Sequence, residues 1–245
     1  MVAQRLLIVN ADDFGRSEGI NRGIAAAHES GIVTSTSLMV RWPAAAAAAR
    51  YARDHPDLSV GLHVDCGEWA CRPNGDWVRL YQVVADGYAG AVGEEVARQL
   101  DAFRKLVGRE PTHLDSHQHV HRSEPARSVL RAVARELGVP LRGGRTVRYL
   151  GCFYGQDDEG RPFPELIGVD ALVEALTGLR PGWTELGCHP GPGADLDSMY
   201  LRERETEVRT LCDRRVREAV ARLGIELRSF HDFRGRGRHA EAAAR

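Results

Sequence analysis

Lysine is almost missing from this chain: of 33 basic residues in 245, only Lys105 is a lysine. It falls in a segment that reads as a helix, so a Schiff-base, phosphate-loop or carbamylated metal-bridging lysine has no candidate. No apolar run approaches the roughly 20 residues that span a bilayer, which excludes a helical membrane span. A formal net charge of -1 withholds the attraction that nucleic acid or an anionic membrane requires, and neither partner is expected. The five cysteines (Cys66, Cys71, Cys152, Cys188, Cys212) are odd in number and form no CxxC pair. That argues against a disulfide framework and for reduced thiols. The first residues carry no signal-peptide cleavage pattern, so a cytoplasmic location is expected. Oligomeric state has no signature here, and a homo-oligomer is left open.

What is present is alternation. "RLLIVNA", "IVTSTSLMV", "LSVGLHV", "THLDS", "VPLRGG", "WTELGCHP" and "IELRSF" read as strands. Between most of them lie helical patterns: "SEGINRGIAAAHESG", the Ala-rich stretch opened by Pro43, residues 93–107, "EPARSVLRAVARELG", "VDALVEALTGL" and the long "LRERETEVRTLCDRRVREAVARLG". Strands alternating with helices predict an α/β fold with a parallel sheet. About seven repeats in this length suit a (β/α) barrel with seven strands rather than eight. One domain is expected over residues 1–233, with a flexible tail over 234–245. The stretches 65–92 and 144–167 break the rhythm as long loops. Their aromatics (Trp69, Trp77, Tyr81, Tyr88, Phe153, Tyr154) suggest a binding rim rather than disorder.

The chemistry-bearing residues cluster. Four of the ten histidines, His113, His117, His119 and His121, fall in "HLDSHQHVH". On an extended chain they share one face with Asp115, and such crowding is costly without a partner cation. His63, His189 and the adjacent Asp12 and Asp13 of "NADDFG" all close predicted strands. Sites of parallel α/β folds are built at such strand ends. A carboxylate with two imidazoles is a common metal-ligand set with positions open to water. If one aspartate of the pair binds a cation, its neighbour can serve as a base, and the cation offsets their mutual repulsion. Two nitrogen ligands favour zinc or another transition metal.

The order of "LLIVNADDFGRSEGINRGI", "GIVTSTSLMV", "VGLHV", "PTHLDSHQHVH", "LR", "FYG" and "CHPG" resembles the YdjC-like carbohydrate deacetylases, the group that includes chitooligosaccharide deacetylase. The resemblance covers nearly the whole chain. It implies a distorted (β/α) barrel, akin to the NodB-type deacetylases, that removes acetyl groups from N-acetylated sugars using one divalent metal ion. By family association that metal is magnesium. Carried over motif by motif, Asp13, His63 and His117 are implied as metal ligands, Asp12 as general base and His189 as the acid. Arg142 is implied to orient a carboxylate. His113 and Asp115 are expected to support the ligands, and His119 and His121 belong to the motif without an assigned role. Trp69, Trp77 and Tyr154 are expected at the substrate face. Two other readings compete: a metal-dependent phosphoesterase or amidohydrolase, and a sugar-binding protein without catalysis.

Overall fold

The structure is a computed structural model that describes residues 4–72, 74–85, 89–157 and 159–233. Tyr88 and the expected tail, 234–245, lie outside the described residues. Strand β1 (Arg5–Phe14) leads to α1 (Glu18–Glu29), then β2 (Ser35–Leu38), α2 (Ala45–Asp54) and β3 (Ser59–Val64). A hairpin of β4 (Gly67–Cys71) and β5 (Trp77–Gln82) follows, then α3 (Ala89–Val107) and β6 (Leu114–Ser116). A 3-10 turn, His117–Arg122, precedes α4 (Ala126–Leu137), β7 (Arg148–Leu150), α5 (Val169–Thr177) and β8 (Gly182–Cys188). Helices α6 (Arg202–Cys212) and α7 (Arg214–Arg222) and strand β9 (Ile225–Leu227) close the chain.

One sheet runs β6-β3-β2-β1-β8-β7, every pairing parallel. β8 occupies one side of β1; on the other side β9 pairs with Arg5 to Leu7 and β2 with Asn10 to Phe14. The seven-stranded (β/α) barrel is thus present, distorted and open between its end strands β6 and β7. Helices cover its outside by simple periodicity. α1 buries Ile20, Ile24 and Ala27, and α2 buries Ala45, Ala48, Ala49 and Ala52, a stripe at i, i+3, i+4, i+7. No helix among the described residues is long and apolar enough to cross a membrane.

Four local expectations need correction. The stretch 65–92 is not a plain loop: it carries the antiparallel β4–β5 pair, and α3 begins at Ala89 rather than at residue 93. "VPLRGG" contributes a single bridge, Leu141 to Leu114, while β7 forms further on. The long C-terminal helix is two helices. Asp213 takes an extended conformation (ψ 133°) and its carboxylate accepts the Arg215 N–H at 2.8 Å, capping α7. The shared face of residues 113–121 does not exist, because β6 ends at Ser116. Gln118 and His119 then adopt left-handed backbone (φ 48° and 54°), which turns the chain and scatters the imidazoles.

Candidate active site

Asp12 and Asp13 both line the same cavity although they are neighbours in a strand. The backbone explains this. The β1–β2 register advances three residues on β1, from Ala11 to Phe14, for two on β2, a bulge. Within it Asp13 is left-handed, φ 68°, a conformation that Asp tolerates better than most residues. Gly15 follows at φ 88°, and a Cβ there would stand 3.0 Å from the Ala45 Cα and the Met39 carbonyl oxygen. The alternation of the strand is broken where both carboxylates must point one way.

Asp13 meets two imidazoles. Its Oδ1 lies 3.1 Å from His117 Nδ1 and 3.5 Å from His63 Nε2. One donor atom from each of the three residues lies within 4.8 Å of the others, and all three residues are buried. The other oxygen, Oδ2, takes a hydrogen bond from Arg204 Nη2 at 2.5 Å, which leaves Oδ1 to the cluster. His63 Nδ1 faces Asp115 Oδ1 at 2.8 Å, which turns Nε2 inward. This is the arrangement of a metal-binding histidine, with a carboxylate fixing the tautomer from behind. Burial works against charge at His117, yet the charge and hydrogen bond of Asp13, aided by Glu68, raise its pKa to about 9. Burial would likewise raise the Asp13 carboxyl, but Arg204 and His117 outweigh it and hold it well below the ordinary range. A buried carboxylate and two imidazoles, one of which already draws positive charge toward Asp13, suit a cation.

Asp12 is held differently. Arg142 reaches it with two hydrogen bonds, Nη1 to Oδ2 at 2.5 Å and Nη2 to Oδ1 at 2.7 Å. The same guanidinium binds Glu185 Oε1 at 2.7 Å and Asp115 Oδ2 at 2.8 Å. One buried cation therefore ties together acids from β1, β6 and β8. Burial pushes the Asp12 carboxyl up, and Arg142 overrides that and lowers it. Glu185, with one contact to the arginine, is pushed up by burial to about 7. His189 follows β8 and places Nε2 3.7 Å from Asp12 Oδ2. Burial lowers its pKa to about 4, so its ring is neutral near pH 7. Glu207 on α6 accepts both the His189 backbone N–H and the Tyr200 hydroxyl.

Asp12, Asp13, His63, His117, His189 and Arg204 line the floor of a cavity of about 700 Å³; Asp115, Arg142, Glu185 and Glu207 lie behind them. Tyr154 lines one wall, stacked on Tyr200 with centroids 4.4 Å apart and edge-on to His189 at 5.4 Å. Tyr149 lines another; a Cβ on Gly187 would come within 2.6 Å of its hydroxyl, so a side chain there would push the ring aside. Trp77 stands at the rim, 46% exposed. Trp69 does not line this cavity; it borders a smaller neighbouring one, under the Arg79 guanidinium. His119 lines the cavity. His121 does not and is bonded to the Ser116 hydroxyl at 2.7 Å. His113 lies outside the cavity, stacked on Phe230 at 3.9 Å over Gly61. Sequence reasoning passed over Glu68, Tyr149, Glu185 and Glu207. Glu185 left a signal, an acid inside the buried strand "WTELGC"; Glu68, in a stretch whose sequence reads as a loop, and Glu207, on a charged helix, left none.

The YdjC-like protein profile matches residues 6–222. The chain belongs to the YdjC-like family. It is 34% identical to a carbohydrate deacetylase of Geobacillus stearothermophilus, covering 94% of this chain and 98% of that one. It is also 34% identical to a chitooligosaccharide deacetylase of Klebsiella pneumoniae, covering 94% and 99%. Among solved structures it superposes on a protein of Enterococcus faecalis V583 named for a suggested role in cellobiose-phosphate cleavage. The TM-score is 0.74 at 25% identity, covering 94% of this chain and 99% of that one. This YdjC-like chain thus matches two relatives in sequence and one solved structure in fold over almost its full length.

Proposed function

We propose that this YdjC-like protein is a metal-dependent carbohydrate N-deacetylase, hydrolysing the amide of an N-acetylated sugar. The observation that carries the reading is the Asp13–His63–His117 cluster on the cavity floor, with Asp12 and His189 beside it. The names of the two deacetylase relatives support the substrate class. Asp13, His63 and His117 would hold a divalent ion, which would supply Lewis acidity for the acetyl carbonyl and the attacking water. Asp12 accepts a proton from that water. Arg142 keeps Asp12 a weak resting base, and the proton passes on to His189, 3.7 Å away, through a bridging water or a closer approach, because that gap exceeds hydrogen-bond reach. His189, neutral at rest, is thereby charged inside the site and protonates the amine as the C–N bond breaks. Without that proton the amine is a very poor leaving group. Tyr154 and Trp77 offer flat apolar faces to the sugar.

The test is incubation with N-acetylated mono- and oligosaccharides, with acetate and deacetylated product followed by mass. Acetate release abolished by chelator and restored by metal is expected; no release from any N-acetylated sugar, with metal bound, would sink the proposal. Elemental analysis of protein purified without chelator is expected to give one divalent ion per chain, zinc or another transition metal by donor set. Asp13→Asn should lose that ion. Asn accepts the left-handed backbone as readily as Asp, so circular dichroism should stay native while metal stoichiometry falls. Trp77→Ala should raise KM several-fold with kcat changed less, because a rim side chain binds substrate and transition state alike.

A further inference from the structure

We infer that Glu68, from the β4–β5 hairpin, is a positioning residue of the metal centre, presenting Nδ1 of His117 to the ion by holding the far side of its ring. The inference rests on the metal-binding reading above. His63 already shows the device: Asp115 stands behind it and Nε2 points inward. His117 is turned the other way. Its Nδ1 meets Asp13, its Nε2 is buried without a hydrogen bond, and the Glu68 Oε2 lies 3.5 Å from that nitrogen. Each imidazole thus has Asp13 on one nitrogen and a second carboxylate on the other.

Glu68 is only 2% exposed and held from three directions. The Arg16 guanidinium, just before α1, pairs with its Oε2. Ser198, in the segment after β8, donates to its Oε1 at 3.0 Å. The third contact is His117 itself. The neighbouring residues repeat the grip: the Gln118 side chain accepts from the Trp69 N–H at 2.9 Å and donates to the Trp69 carbonyl at 2.7 Å. Residues 68 and 69 are therefore fastened to residues 117 and 118, side by side. A hairpin of half-exposed strands reaches the cavity floor through one acid, and that acid faces the one residue of the cluster that does not itself lie on a strand of the main sheet.

The experiment measures zinc binding by calorimetry in the full-length chain, with wild type, Glu68→Ala and Glu68→Gln. Glu68→Ala is expected to bind about 10–100-fold more weakly, the usual cost of removing such a partner. Glu68→Gln, whose amide oxygen can still accept from Nε2–H, should recover most of the loss. Nitrogen-15 NMR of wild-type His117 supplies a second reading that needs no variant. Zinc should sit on Nδ1 while Nε2 stays protonated. Zinc on Nε2, or wild-type affinity in Glu68→Ala, would overturn the inference. No zinc binding by wild type would instead overturn the metal reading on which it rests.

Discussion

Asp12→Asn is expected to keep the metal and lose turnover, with kcat down on the order of 10²–10⁴-fold, the usual cost of removing a general base. The substitution is nearly isosteric. One amide oxygen can still accept from Arg142, but no carboxylate remains to take the water's proton or pass it to His189, 3.7 Å away. The Asp13–His63–His117 cluster does not use Asp12, so stoichiometric metal should remain. Steady-state kinetics and elemental analysis on the same preparation check both halves. Near-normal kcat with metal bound would move the base to His189 or His119, the other titratable imidazoles that line the cavity beside the cluster.

Arg142→Met should cost about 3–5 kcal/mol of stability, the range for deleting one partner of a buried ion pair. The methionine fills much of the volume but leaves Asp12, Asp115 and Glu185 without the guanidinium that joins them. Chemical denaturation near neutral pH measures the loss. The pH dependence gives a sharper check. In the native chain Arg142 holds the carboxyls of Asp12 and Asp115 below their ordinary values. Their contribution is present above the unfolded pKa near 3.9 and is lost as pH falls through the folded value. Without the arginine, burial and mutual repulsion raise these acids in the folded state, so the sign reverses. The variant gains protons on folding and should be more stable near pH 5 than near pH 8. A variant whose stability changed between pH 8 and pH 5 no differently from that of the native chain would show that the three acids are not coupled through this arginine.

The sheet was legible because its strands are short apolar runs set between turn signals, and because buried parallel strands read as continuous hydrophobic segments. The hairpin was not, since its strands are half-exposed and carry no clean alternation. β7, three residues long, had no apolar run to announce it. The site was legible to the extent that it lies at strand ends: Asp12, Asp13, His63, His117 and His189 were all named from motif and position. The even spacing of the histidines misled, because period two holds only while the chain stays extended, and two left-handed residues end that at Gln118. The asymmetry of the aspartate pair was also hidden. Which of them meets an arginine along its full edge depends on Arg142 and Arg204, 130 and 191 residues away.

The fastening of Glu68 bears on any attempt to redirect this protein to another sugar. The natural engineering route is to exchange the rim and keep the barrel, since loops over a strand-end face are the usual interchangeable part. Here the rim is not a separable cassette. A grafted hairpin that lacked an acid at position 68 would take from buried Arg16 its nearer carboxylate, leaving only Asp13 at 3.9 Å, and would remove the carboxylate behind His117. Its designer would see lost stability as well as altered specificity. Trp77 and the solvent-facing positions of β5 can be varied freely within that constraint; the segment from Gly67 to Trp69 has to travel with the barrel.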